Sequence, residues 1–385
     1  MIKIGIIIDV LPNAGGGMHM ILAICNTLQN IKIKNYQFIF ITTYLGTKNC
    51  IKKETNINSI LFNKDSFLNK IYFYLFKKKI IKFFFGILKI KNPLESYLTD
   101  NNIKLVYFLS PSHLILFCNK VNFISTIWEL EYKKLYKLPE YNKKTVQLRN
   151  DILENSTKRA VKIFVGTQKL KDQIIKSFPL SKNRVAIINY PPYLTTLNTE
   201  KKITKFKNIK NYFFYPAQYW SHKNHEFIIE SFSKIKNKSH KKIKFVFTGH
   251  DKGFLKKLKE KVKIKNLEKN FIFFKYLNNL EIVNLYKRCK AVIMPTKIGT
   301  HSFPLYEAFF FKKPIIYNHK ILDSSLKKRV IKININNSNN LSNILDSLKK
   351  RSISKMIKNN YDFYNSSFDK KNIKNNLIKV FSEVI

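Results

Sequence analysis

Residues 1–28 read MIKIGIIIDVLPNAGGGMHMILAICNTL, and the order of residue types in them decides the fold class. Residues 2–9 are an apolar run that stops at Asp9, which predicts a first β-strand. The loop Pro12-Asn13-Ala14-Gly15-Gly16-Gly17 follows, and apolar residues then recur with helical period at Met18, Ile21, Leu22, Cys25 and Leu28. A strand, a glycine loop and a helix in that order open a parallel α/β sheet. Further apolar runs at 37–42, 104–109, 122–127 and 161–166 alternate with helical-looking segments, as crossover helices between parallel strands require.

After Asn189-Tyr190-Pro191-Pro192 comes a polar, lysine-rich passage at 197–211 with no clear period, the candidate linker. A second series of apolar runs begins beyond it, at 212–215, 243–248, 271–274, 291–294 and 314–317, with helical segments such as 225–235 and 280–288 between them. The 385 residues are too many for one ordinary domain and suit two. The expected organisation is a domain over 1–195, a second over 196–365, and a terminal helix near 357–385 whose last part, 366–385, crosses back to the first. Two Rossmann-like domains facing a central cleft would gather ligands at the carboxyl ends of their strands.

Composition narrows the function classes. At 45% hydrophobic and 14% aromatic residues each domain can bury a core. Lys and Arg number 71 against 24 Asp and Glu, a formal charge of +47, so the partners must include something anionic: nucleic acid, membrane or a phosphorylated substrate. Lys, Asn and Ile are enriched together, which an AT-rich coding sequence explains; the shortage of acids is not explained that way. Cys25, Cys50, Cys118 and Cys289 lie far apart with no CxxC pair, so neither a zinc knuckle nor a disulfide framework is indicated and a reducing cytosol is the simpler home. The N-terminal run is too short for a secretory signal, and no stretch of about 18 apolar residues suggests a spanning helix. Membrane contact is therefore expected to be peripheral, on the inner face.

Three constellations carry chemistry. In the glycine loop, residues without Cβ let backbone N–H groups approach a phosphate at a helix N-terminus; a purely structural turn is the alternative, since the spacing is neither GxGxxG nor a Walker loop. In Tyr215-Pro216-Ala217-Gln218-Tyr219-Trp220-Ser221-His222-Lys223-Asn224-His225, between a strand and an amphipathic helix, Lys223 stands near a helix start. It suits a diphosphate leaving group without a metal, or is one solvated lysine among many. His222 and His225 have ligand-like spacing, but no third ligand is evident. In Pro295-Thr296-Lys297-Ile298-Gly299-Thr300-His301-Ser302-Phe303-Pro304-Leu305-Tyr306-Glu307-Ala308, Glu307 heads an apolar helix. It would accept hydrogen bonds from the vicinal hydroxyls of a ribose, or simply complement the helix dipole.

These constellations, in this order, resemble glycosyltransferase family 4, a retaining family of GT-B fold, over about residues 3–320. Pro304-Leu305-Tyr306-Glu307-Ala308 followed by Lys313-Pro314-Ile315-Ile316 is similar to its donor-binding signature, and Tyr215–His225 resembles the segment with its phosphate-binding lysine. Thr126-Ile127-Trp128-Glu129-Leu130, with Leu138-Pro139-Glu140 downstream, resembles its acceptor-side strand and loop. The resemblance implies Glu307 on the ribose, Lys223 and Gln218 on the diphosphate side, Gly16 and Gly17 near the phosphates, and Thr300, His301, Ser302 and Phe303 near the donor sugar. It also implies Lys223 as the main electrophile toward the leaving group and Glu129 as an acceptor-side contact.

The sequence departs from the family at Gln218, where a basic residue is usual, at Gly299, where the first glutamate of a two-glutamate motif falls, and at Trp128-Glu129, where His-Asp is frequent. A subfamily with altered donor contacts accounts for these changes. The implied reaction retains anomeric configuration, the leaving phosphate helping to deprotonate the acceptor. That agrees with a sequence that offers no evident close carboxylate pair of the glycosidase kind. No cofactor and no metal are expected, a nucleotide-diphosphate sugar being the co-substrate and a lipid-linked or surface-polysaccharide glycan the acceptor.

The window Ile71-Tyr72-Phe73-Tyr74-Leu75-Phe76-Lys77-Lys78-Lys79-Ile80-Ile81-Lys82-Phe83-Phe84-Phe85 mixes aromatics and lysines. It reads as a membrane-surface element, as a half-buried helix with snorkelling lysines, or as a nucleic-acid patch. Charge and the implied acceptors favour an anionic membrane surface. The rivals are a nucleic-acid binder, which lacks any helix-turn-helix, zinc-finger or RRM signature, a GT-B-like binding protein without transferase activity, and an epimerase of the same fold.

Overall fold

The computed structural model describes residues 1–31, 33, 35–76, 84, 87, 92–133, 138–139, 142–197, 203–235, 242–299, 302–348 and 351–384. The chain forms two compact units. The first comprises Met1–Trp128, Lys143–Tyr190 and Lys370–Ile385; the second comprises Glu129–Asn142 and Pro191–Asp369. The divide thus falls after Tyr190, not at 195, because Tyr190 is buried in the first unit with its hydroxyl 3.3 Å from that of Tyr107.

In the first unit, strands β1 (Ile2–Ile8), β2 (Tyr36–Thr42), β3 (Ile60–Leu61), β4 (Ile103–Phe108), β5 (Asn122–Thr126), β6 (Lys162–Val165) and β7 (Val185–Ile187) pair in parallel in the order β3-β2-β1-β4-β5-β6-β7. Helices cover both faces of such a sheet, so its strands can be apolar throughout. Ile4, Ile6, Ile7 and Ile8 are all fully buried.

The second unit repeats the design with β8 (Tyr212–Pro216), β9 (Lys244–Thr248), β10 (Phe271–Phe274), β11 (Ala291–Met294), β12 (Ile315–Asn318) and β13 (Ile331–Ile333), ordered β10-β9-β8-β11-β12-β13 and again parallel. Its core is aromatic: Phe213 stacks on Phe245 at 5.6 Å and Phe245 on Phe271 at 5.0 Å across three neighbouring strands. Strand order reverses between β1 and β4 in the first sheet and between β8 and β11 in the second. At such a switch point the loops leave in opposite directions and open a crevice beyond the carboxyl ends of the strands.

Two expectations are corrected. Within the presumed linker, Phe206 is buried with its ring 5.5 Å from Phe274, so the described part of that passage packs on the second unit; residues 198–202 lie outside the described residues. The terminal helix is two helices, Arg351–Ser367 and Lys370–Ser382. Through Phe363, Tyr364 and Phe368, the first of them and the residue just beyond it pack against the rings of Phe309, Phe310 and Tyr306 in the second unit. The other belongs to the first unit, where Phe381 meets Phe38 at 5.6 Å and Lys162 pairs with Glu383 at 2.7 Å.

Candidate functional site

The site is built at the β8/β11 switch point of the second unit. Beyond β8 the chain runs close over Gly249: a Cβ there would lie 2.6 Å from the Ala217 oxygen and from Gln218 N and Cα, so only glycine permits the approach. Tyr219, buried, anchors the loop with its hydroxyl, whose one proton is shared between the carbonyls of Phe247 (3.1 Å) and Phe274 (3.0 Å). A short 3-10 turn, Ser221–Lys223, follows, and Asn224 at φ 58° then reverses the chain into the helix His225–Ser233. Lys223 therefore ends a turn of its own and directly precedes the N-cap of the helix, near the helix start. The Tyr215 hydroxyl fixes it by donating to its carbonyl at 2.6 Å.

The β11 loop is knitted to this turn. Lys297 N donates to the His222 carbonyl at 2.8 Å and Asn224 Nδ2 to the Pro295 carbonyl at 3.2 Å. From β12, Asn318 Nδ2 donates to the Thr296 carbonyl at 3.0 Å and the Tyr317 hydroxyl to the Gly299 carbonyl at 3.0 Å. Gly299 has φ 109°, a conformation that favours glycine, and among the described residues nothing stands within 4 Å of where a Cβ would be. Thr300 and His301 lie outside the described residues; Ser302 stands at the N-cap of the helix Phe303–Phe310 without a side-chain capping bond, and Phe303 is buried.

Glu307 does not head that helix. It lies in the second turn, 2% exposed, so the dipole-complement reading is set aside. Its Oε2 accepts the Tyr286 hydroxyl at 2.6 Å, while Oε1 finds no hydrogen-bond partner among the described residues. Burial pushes its pKa up to about 7 against the pull of the Tyr286 bond. A buried carboxylate oxygen without a donor is costly, which makes this position a natural acceptor for a ligand hydroxyl.

Lys223 is likewise displaced from ordinary behaviour. Desolvation lowers its pKa to about 8, opposed by the charge of Glu129. Glu129 lies in the stretch that groups with the second unit, and it is not alone. Its Oε2 accepts from Tyr132 N at 3.2 Å, and Glu131 Oε2 accepts from Leu130 N at 3.2 Å. Burial and then the Glu129 charge raise the Glu131 pKa.

The remaining predicted residues divide. Gln218 accepts from Trp220 Nε1 at 3.0 Å. His225 is buried between the rings of Tyr215 and Tyr219, and desolvation followed by the Lys223 charge lowers its pKa to about 3. It is a neutral core ring. Among the described residues no group of three or more His, Cys, Asp or Glu is arranged to hold a metal.

Gly16 and Gly17 belong to the first unit, at the start of the helix Gly16–Gln29 beyond β1, after Gly15 at φ 61°. A Cβ on Gly17 would meet the Trp128 ring at 3.2 Å, so Gly17 serves packing, whereas Gly16 faces open space. Sequence reasoning missed Asp9, whose neighbours come from three other segments. It accepts from Ser112 Oγ at 2.6 Å and Thr43 Oγ1 at 2.7 Å and is ion-paired to the buried Lys64. Burial would raise its pKa, but the Lys64 charge and these bonds hold it below the usual carboxylate range. A cavity of about 390 Å³ opens beside the pair, lined by Tyr44, Lys64, Lys70, Phe73, Tyr74 and His113 among others.

Of the basic aromatic window, 77–83 and 85 lie outside the described residues. The helix Phe67–Phe76 that leads into it buries Phe73 against Phe117 at 4.4 Å and exposes Phe67, Leu68, Ile71 and Tyr74. No helix among the described residues is long and apolar enough to cross a membrane.

Residues 198–363 match the family described as Glycosyl transferases group 1. No curated protein matches the chain in sequence. Among solved structures, Alr3699/HepE of Anabaena in complex with UDP-glucose is similar over 100% of both chains at 11% identity and a TM-score of 0.74. A variant of S. aureus TarM, in complex with fondaparinux, alpha-GlcNAc-glycerol and UDP, is similar over 99% of this chain and 100% of its own, at 12% identity and a TM-score of 0.69. A putative UDP-N-acetylglucosamine 2-epimerase from Listeria monocytogenes is similar over 100% and 98%, at 13% identity and a TM-score of 0.64. At these identities the likeness speaks for the GT-B fold.

Proposed function

We propose that the chain is a glycosyltransferase, its residues 198–363 matching the family described as Glycosyl transferases group 1, and that it moves a hexose-type sugar, with retention, from a nucleotide-diphosphate sugar to a lipid-linked or surface-polysaccharide acceptor. The observation that carries the donor side is Glu307: a fully buried carboxyl, one oxygen bonded to Tyr286 and the other unpartnered, beyond the carboxyl end of a parallel strand at a switch point. Ribose hydroxyls would supply the missing donors. Lys223, on the neighbouring loop of the same sheet, meets the negative charge that grows on the diphosphate as the glycosidic bond to it breaks. A lysine in this place makes a metal unnecessary for that step. The leaving phosphate takes the acceptor's proton on the face it vacates. UDP in the solved complexes of HepE and TarM makes UDP-sugars the first donors to try.

An anionic membrane surface, on the cytoplasmic side, is the proposed setting. The net charge of +47 attracts it, and Phe67, Leu68, Ile71 and Tyr74 give one helix an exposed apolar face to enter the interface.

The experiment is ligand-induced stabilisation of the purified protein with UDP, GDP, dTDP and CMP, alongside Glu307→Ala and Lys223→Ala. A nucleotide at 100 times its Kd stabilises by about 2.7 kcal/mol. A shift with one nucleoside diphosphate that disappears in both variants supports the donor site. Absence of any shift in the wild type would refute it.

A further inference from the structure

Four strand ends of the first sheet converge on one carboxylate. Asp9 follows β1 directly and Thr43 follows β2 directly, while Lys64 lies just beyond β3 and Ser112 just beyond β4. The strand order reverses between β1 and β4, so the cluster stands at the switch point, where such a sheet opens a crevice for ligands. Both carboxylate oxygens are taken. Thr43 Oγ1 and Lys64 Nζ donate to Asp9 Oδ1, Ser112 Oγ donates to Oδ2, and His113 Nδ1 stands 3.8 Å from Oδ2. A buried ion pair is weak evidence for stability, so a pair built from four strand ends beside a cavity fits a ligand role better than a folding one.

The lining of the cavity beside this pair decides the ligand class. Lys64 and Phe73 are its buried part, and Asp65, Lys70 and Tyr74 its exposed part. Lys64 Nζ lies 4.3 Å from the centre of the Tyr44 ring, and the His113 ring stands edge-on to Phe73 at 6.4 Å. The volume of about 390 Å³ falls in the range of small-molecule pockets. Among the described residues, each lysine of the lining faces a carboxylate: Lys64 that of Asp9, and Lys70 that of Asp65 at 4.0 Å. The Lys64 charge and its hydrogen bonds hold Asp9 below the usual carboxylate range, so the inner pair stays ionised and neutral in sum at physiological pH. In a chain of net charge +47, a cavity with its cations already matched is not built to capture a phosphate.

We propose that this cavity is a saccharide site, which holds a neutral sugar ring of the acceptor between its aromatic side chains and its ion pairs. This rests on the transferase reading, which requires a second, hydroxyl-bearing substrate besides the nucleotide sugar. A pyranose has apolar C–H faces and a rim of hydroxyls, each both donor and acceptor. Tyr44, Phe73 and Tyr74 offer rings to the faces; the Lys64 ammonium offers N–H donors and the Asp65 carboxylate offers acceptors to the rim. A sugar that carries a carboxylate or phosphate gains nothing here, since it would compete with Asp9 and Asp65 for their lysines.

The test titrates glucose, galactose, mannose and N-acetylglucosamine, with glucuronate and inorganic phosphate as the anions, by saturation-transfer NMR on the wild type, Tyr74→Ala and Tyr74→Phe. Tyr74 is 66% exposed, so neither substitution should lower the melting point. At least one neutral sugar should bind more tightly than either anion. Tyr74→Ala should weaken it roughly fivefold, the loss of one stacked ring, and Tyr74→Phe should retain most of the affinity. Tighter binding of glucuronate or phosphate, binding that Tyr74→Ala leaves unchanged, or no binding of any neutral sugar overturns the proposal. Stabilisation by UDP, GDP and dTDP, measured on the same samples, separates the two readings. Nucleotide binding without sugar binding strikes the saccharide site alone; loss of both strikes the transferase reading as well.

Discussion

Desolvation lowers the pKa of Lys223 to about 8, well below an ordinary lysine, and the charge of Glu129 only partly offsets it. Affinity for the nucleoside diphosphate should hold level up to about pH 7 and fall as pH rises past 8. Lys223→Arg, whose guanidinium keeps its charge, should remove that alkaline fall even if it binds more weakly at pH 7. Glu307 has the opposite displacement. Its folded value of about 7 lies above the unfolded carboxyl's about 4.3, so the native protein binds this proton more tightly, and stability drops as pH rises from about 4.3 to 7. Glu307→Gln should therefore melt higher than the wild type at pH 8 in the absence of ligand, by up to about 3 kcal/mol, while losing nucleotide binding. A lower melting point at pH 8 would refute this. Lys223 and Glu307 were legible in the sequence because each stands in a short motif at a strand-to-helix junction. Asp9 was seen only as the stop of a strand, its partner Lys64 being far along the chain.

Elements set the limits within which those side chains act. Gly249→Ala should cost about 3 kcal/mol or more, because the new methyl would meet the backbone of residues 217–218 and not a side chain that can turn away. It should also lower nucleotide affinity, since that backbone carries the Lys223 turn. Gly17→Ala should cost about 1 kcal/mol against Trp128, and Gly16→Ala close to nothing in stability; thermal melting of the three variants checks the order. The strands read correctly from sequence were those with a continuous apolar run of four or more residues, most of them buried on both faces, such as 2–8 and 291–294. The strands missed, β3, β7 and β13, are two or three residues long and lie at sheet edges, where pairing on one side needs no long apolar run. The break between the two terminal helices was missed because amphipathic periodicity resumes almost at once after Phe368.

For the molecule as a whole the excess of 47 positive charges should show as salt-dependent adhesion. Co-sedimentation should be stronger with phosphatidylglycerol vesicles than with phosphatidylcholine vesicles and should decline with added salt. The double substitution Phe67→Asp and Leu68→Asp should reduce it without lowering the melting point, both side chains being 77% exposed. Equal binding to neutral vesicles would refute the electrostatic account. The existence of two α/β units was legible because two series of apolar runs were; their ownership of the chain was not, since a helix carries no sign of which sheet it will cover. That ownership has a consequence for synthesis. The first unit includes Lys370–Ser382, with Leu377 and Phe381 fully buried, so its last piece leaves the ribosome after the entire second unit. At about 5–20 residues per second the interval is roughly 10–35 s. Until then the nascent first unit waits with an apolar groove uncovered, and a message cut short before codon 370 yields a protein whose second unit is complete and whose first is not.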